Sequence, residues 1–271
     1  MVKSLKFAFI LAFFALQSFA ASSLELARNL IADSNSEAKL KLLFEGKSYV
    51  DENGNARWDE IARILKMNSL LSLTLPRSQS LQLSFKAKSN EVVFLKIVND
   101  ALNQAGFVLF TPIKLNLQDE MKTYAIRVES RYILDPASFY ALLKQNSVLI
   151  KNIRKVNAYD YEYELDFSNA RLKPNVEKSF NNNIKLQRPL RDYIINIQGA
   201  SNLNIRASSM DSWFPKVLFL DKDLNLLKSS ISTSKRNRFS SSVPSNAVYV
   251  IIGDSYSLDN IRRGLEIQLI R

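Results

Sequence analysis

Between Leu81 and Phe110 the apolar positions change period twice. Leu81, Leu83 and Phe85 alternate with polar residues, the two-residue repeat of a half-buried strand. Val93, Phe94, Ile97, Val98, Ala101 and Leu102 then follow at helical spacing and form one apolar stripe. Ser89 or Asn90 is placed to cap that helix, Glu91 puts negative charge in its first turn, and Gly106 stands where a left-handed C-cap is wanted. Phe107 to Phe110 is a short apolar run that suits a second strand.

The same reading extends outward from this unit. Ser23 to Glu45 has helical spacing broken at Asp33-Ser34-Asn35-Ser36, which predicts two short helices, the second capped by Ser36. Asp51-Glu52-Asn53-Gly54-Asn55 is a turn. Asp59 is expected to cap a helix running to Met67, Leu70 to Leu75 to be extended until Pro76, and Arg77 to Ser80 to be a loop. Past Pro112 a polar loop leads to a strand over Tyr124 to Val128. A helix follows, with Asp135 as N-cap and Pro136 at its first position. Val148 to Val156 and Tyr159 to Phe167 alternate as two strands. The strand-helix-strand-strand order of 123–167 makes that stretch a candidate second copy of the first unit.

Ser168 to Pro189 is polar and Asn-rich and reads as a linker. Beyond Arg191 the texture changes to short alternating runs separated by turns: Tyr193–Gln198, Leu203–Ala207, Lys216–Leu220, Leu226–Ser230, Arg238–Ser242, Val248–Ile252 and Leu265–Ile270. Asp221 to Asn225 sits between two of them as a hairpin turn. The expected fold class is an α+β N-terminal domain, with one or two small αββ-type modules, followed by an all-β sandwich. The boundaries are 1–20 for a signal peptide, 21–48 for a helical segment, 49–167 for the α/β part, 168–190 for the linker and 191–271 for the sandwich.

Composition narrows the chemistry. The 271 residues contain neither cysteine nor histidine, which removes Cys/His metal sites, thiol chemistry and any Ser-His-Asp triad. No Walker A, GxGxxG or GxSxG motif is present. Residues 1–20 have the build of a secretory signal peptide. Lys3 and Lys6 precede the apolar run Phe7 to Leu16, and Ser18 and Ala20 place cleavage between Ala20 and Ala21. The predicted location is the periplasm, peripheral to the outer membrane, with no transmembrane segment in the mature chain. The formal charge of +11 is high. The chain is also poor in Gly and Pro and rich in Lys, Asn, Ile and Phe, the bias of an AT-rich coding sequence, so the charge is not read as a nucleic-acid footprint.

Two resemblances add to this. The helix Trp58 to Met67, the runs Leu70–Leu75 and Leu81–Phe85, the helix Asn90 to Gln104 and Gly106-Phe107-Val108 resemble the small α/β modules of secretin periplasmic regions. Those modules build rings, so the resemblance implies subunit packing. Val217 to Asp223 and Val243 to Val250 resemble the hairpin and strand of the pre-peptidase C-terminal type of sandwich, which implies an accessory or adhesion module.

Individual candidates follow from residue type. Asp51, Asn53, Asn55 and Asp59 echo the first, third, fifth and ninth positions of a calcium loop, but Ala62 stands where its bidentate Glu belongs. Asp160, Glu162, Glu164 and Asp166 form an acidic ladder on one strand face, spaced roughly 7 Å apart, a separation compatible with inverting glycoside hydrolysis or with a solvated face. Trp213 in Trp213-Phe214-Pro215 and the basic cluster Lys235, Arg236 and Arg238 are the candidate interaction surface. No metal, cofactor or catalytic residue is assigned. The expected function is a non-enzymatic periplasmic assembly component of an envelope machine, such as a secretion, pilus or flagellar-motor accessory. Its partners would be other envelope proteins, including further copies of itself. The alternative is a glycan- or peptidoglycan-binding envelope protein that works through the sandwich.

Overall fold

The computed structural model describes residues 21–271, so the signal segment and Ala20 lie outside the described residues. The chain is a mixed α+β protein. Among the described residues the first half holds α1 (Ser23–Ile31), α2 (Glu37–Phe44), α3 (Trp58–Met67), β1 (Thr74–Lys88), α4 (Glu91–Gln104), β2 (Thr111–Asn116), β3 (Met121–Tyr132), α5 (Pro136–Lys144), β4 (Leu149–Asn157) and β5 (Asp160–Asp166). The strands form one sheet in the order β2-β3-β1-β5-β4, with β1 antiparallel to β3 and parallel to β5. Leu81, Leu83 and Phe85 of β1 point to the same face as Tyr124 and Ile126 of β3 and Tyr161 and Tyr163 of β5. They join the buried faces of the helices in a single core from Leu26 to Phe167. Phe85, Phe139 and Tyr163 stack at its centre, with ring centroids 5.2–5.6 Å apart. Trp58 ties α3 to the sheet, its Nε1–H donating to the Ile150 carbonyl at 2.8 Å. The segment 123–167 shares this sheet and core with the stretch before it. The opposite sheet face is polar, with Gln82, Lys86, Arg127, Asp160, Glu162 and Glu164 all at least partly exposed.

Four local expectations are corrected here. Leu70–Leu75 is not a separate strand, nor Arg77–Ser80 a loop: β1 runs on through Pro76. The pairing with β3 slips between Thr74 and Gln79, so proline occupies an irregular stretch where no ladder hydrogen bond is required of it. Asp59 does not cap α3. Arg57 holds that position, because the buried Trp58 already belongs to the helix. Phe107–Phe110 is not a strand. Gly106, at φ +91°, turns the chain at the end of α4, and Phe107 N–H closes back on the Leu102 carbonyl at 2.9 Å. Phe107 is buried by that closure, and the next strand starts only at Thr111. Asn90 and Asp135 do cap α4 and α5 with their side-chain oxygens.

The second half holds β6 (Asn183–Lys185), β7 (Tyr193–Asn196), β8 (Asn202–Ala207), β9 (Pro215–Leu220), β10 (Leu226–Ile231), β11 (Arg238–Ser242), β12 (Tyr249–Asp254) and β13 (Leu265–Ile270). They form two antiparallel four-stranded sheets, β10-β9-β12-β7 and β11-β8-β13-β6. Successive strands change sheets at every step except the β9–β10 hairpin, and this order is that of a jelly roll. Ile195, Val217, Phe219 and Val250 of one sheet meet Leu203, Ile205, Ile267 and Leu269 of the other in a common core.

The polar stretch 168–190 is a structured strap and not a free linker. Val176 and Phe180 bridge to Ile195 and Leu269, and β6 pairs with β13. Leu186 is buried in the sandwich core. Its carbonyl oxygen lies 2.0 Å from where a Cβ on Gly264 would stand, and Gly264 has φ +77°, so only glycine lets the two backbones meet. The strap also holds the first half: Lys173 N–H donates to Asn146 Oδ1 at 2.8 Å, while Asn175 exchanges hydrogen bonds with Ile194.

Candidate functional site

An exposed apolar region lies beside the start of β2. β2 pairs with β3 only as far as Thr111 opposite Arg127, whereas β3 continues to Tyr132. From Val128 onward β3 is therefore paired only with β1, and its other edge has no strand beside it. Alongside runs the loop after Gly106, in which Phe107 is buried but Val108 is 62% and Leu109 88% exposed. Tyr132, 59% exposed, stands across from them. Together with Leu73, Ile133 and the start of α5 they line a groove of about 510 Å³. Lys66 and Asp135, 3.3 Å apart, lie at its α5 end. An open strand edge beside exposed apolar side chains is the arrangement that accepts an added strand. Nothing in the local pattern marks this groove, because it depends on where β2 stops relative to β3.

The acidic ladder sits on the polar face of the same sheet. Glu162 accepts hydrogen bonds from Lys86 Nζ at 3.2 Å and from the Arg154 guanidinium at 2.5 Å. Burial opposes its ionisation, but these two bases outweigh it and hold its carboxyl below the ordinary range. Asp160 moves the other way. Partial burial, and then the charge of Glu162, raise its carboxyl above the ordinary value. Asp166 faces Lys151 at 3.7 Å. The four carboxylates lie along one strand with bases among them, and Glu164 and Asp166 border a cavity of about 680 Å³ that Glu25 and Asn53 also line. Two of the four, Glu162 and Asp166, are ion-paired within the fold.

The calcium-like turn is likewise closed on itself. Asp51 Oδ1 accepts the backbone N–H groups of Asn53 and Asn55, each at 2.9 Å. Asp59 pairs with Arg57 at 3.2 Å. Among the described residues no cluster of three acidic side chains is placed to hold a metal.

In the jelly roll, Trp213 is not a surface residue. It is fully buried between the sheets, with Nε1–H donating to the Gly253 carbonyl at 2.8 Å, because a ring that large completes the core. The aromatic that does surface at this end is Tyr256, 65% exposed and packed edge-on against Phe214. Lys235 and Arg236 are exposed on the loop between β10 and β11. Arg238 opens β11 and stands directly opposite Arg206 of β8.

No protein-family model and no curated protein matches the chain. One solved structure, titled "Structure of infectious bursal disease virus Gx strain", is similar at 10% identity and a TM-score of 0.15, over 71% of this chain. The chain spans 53% of that protein's length, and a likeness this slight carries no argument. No described helix is long and apolar enough to cross a membrane.

Proposed function

We propose that the protein is an exported, non-enzymatic assembly component of a bacterial envelope machine, such as a secretion, pilus or flagellar-motor accessory. On this reading it works in the periplasm, peripheral to the outer membrane, and binds an extended segment of another envelope protein along β3. The observation that supports this most is the groove at Val128–Tyr132. Its strand edge would give the partner main-chain hydrogen bonds, and Val108, Leu109 and Tyr132 would receive alternate apolar side chains.

The test uses the full-length protein in its native cells. The mature form should begin at Ala21 in a periplasmic extract and elute within a complex larger than the monomer. Leu109→Asp should release it from that complex while its thermal midpoint stays unchanged, because Leu109 is exposed. A mature chain that stays monomeric in cell extracts, or a Leu109→Asp protein that remains in the complex, contradicts the proposal.

A further inference from the structure

The outer face of the β11-β8-β13-β6 sheet carries two polar rows in register. One is Lys185, Glu266, Arg206 and Arg238, each opposite the next across neighbouring strands. The other is Asn183, Gln268, Asn204 and Ser240. The second row is internally oriented: Asn204 Nδ2–H donates to Gln268 Oε1 at 3.2 Å, and Ser240 Oγ–H donates to Asn204 Oδ1 at 2.7 Å. Apart from Lys185, both rows line a groove of about 280 Å³, open along the sheet.

The first row is unbalanced. Like charges directly opposite on adjacent strands are destabilising, and Arg206 faces Arg238. Among the described residues the ion pairs of the jelly roll join Arg188 to Asp259, Lys216 to Asp192, Lys222 to Asp223 and Arg263 to Asp211. Arg206 and Arg238 take part in none of them. Glu266, opposite Arg206, is the one carboxylate in the row against Lys185, Arg206 and Arg238. It makes no ion pair with either guanidinium group, so each is able to take an external carboxylate in a bidentate fork. Lys235 and Arg236 extend the positive charge beyond the end of β11.

We infer that this face is a binding site for an anionic polysaccharide bearing carboxylates. Arg206 and Arg238 take the carboxylates, and the amide and hydroxyl row hydrogen-bonds the sugar hydroxyls with both donors and acceptors. Charge complementarity selects the anion. The ordered amide row selects a polyhydroxylated chain over a bare polyanion. The site is separate from the β3 groove, so its failure would leave the assembly reading standing.

The experiment measures binding of the mature protein to polygalacturonate, neutral dextran and a single-stranded DNA oligonucleotide. Polygalacturonate should bind and dextran should not. Arg206→Gln with Arg238→Gln should weaken binding at least about tenfold. Lys47→Gln with Arg77→Gln, an equal loss of charge from exposed positions in the first half, should leave it unchanged. Asn204→Ala with Gln268→Ala should weaken polygalacturonate several-fold, on the order of one or two lost hydrogen bonds, without affecting the oligonucleotide. The inference is overturned if dextran binds as well as polygalacturonate, if the charge-matched control falls as far as the arginine pair, or if the arginine pair binds like the wild type. It is also overturned if the amide pair weakens both polyanions alike.

Discussion

On β5 four carboxylates stand in line, and across β8 and β11 two guanidinium groups face each other, yet only in the first set do any members, Glu162 and Asp166, form ion pairs within the fold. Lys86 and Arg154 converge on Glu162, and Lys151 reaches Asp166. Among the described residues no ion pair includes Arg206 or Arg238, although Glu266 stands opposite Arg206. Ion pairs offset part of the charge of the β5 ladder, whereas the arginine pair keeps its charge in a groove lined by amide and hydroxyl groups, which is why the anion site is proposed there. The two ladders look equally suggestive in the sequence; the register of the neighbouring strands separates them.

The comparison depends first on the jelly roll being held from inside. Trp213→Ala should cost about 3–5 kcal/mol in denaturant unfolding, since it empties a fully buried site and strands the Gly253 carbonyl. A loss below about 1 kcal/mol would mean that the ring is a surface residue after all. Next is the strap. Gly264→Ala should destabilise by about 1–3 kcal/mol, because alanine at φ +77° is strained and its Cβ meets the Leu186 carbonyl. A neutral result would return 183–190 to being a free linker.

The smallest effect lies on the acidic ladder. Glu162, held below its ordinary value, stabilises the fold above its unfolded pKa, and this contribution is lost as the pH falls through the folded value. Asp160 has the opposite sign: its raised carboxyl costs stability while ionised, and the cost is relieved on acidification. Glu162→Gln should therefore change stability at neutral pH by less than about 1 kcal/mol, as for a partly exposed pair. It should also lower the titration midpoint of Asp160 in a carboxyl-detected NMR titration. An unmoved Asp160 would show that the two carboxylates do not sense each other.

Much of the fold was legible because period and caps act locally. The stripe from Val93 to Leu102, the capping by Asn90 and Asp135, and the alternation from Tyr193 to Ile270 all appear where the residues place them. The misses are tertiary. β6 is a three-residue strand after an Asn run, with too little alternation to notice, and it forms because β13 offers an edge. Phe107 to Phe110 has a strand's composition, but burying Phe107 against the helix end leaves Val108 and Leu109 outside. Trp213 was visible as an aromatic in a loop, while its burial depends on two sheets closing over it. Of the candidate surface, Arg238 could be named from the sequence, but its partner Arg206 is 32 residues earlier and is brought opposite by strand pairing alone.

The central claim is that the open β3 edge receives a protein partner. A photo-crosslinking residue at position 109, compared with one at exposed position 47, tests it in living cells. The account predicts a 109-specific adduct to one envelope protein, with the crosslinked peptide mapping to an extended segment that alternates apolar and polar residues. Adducts at 47 and 109 that are the same, or none at 109, would contradict it.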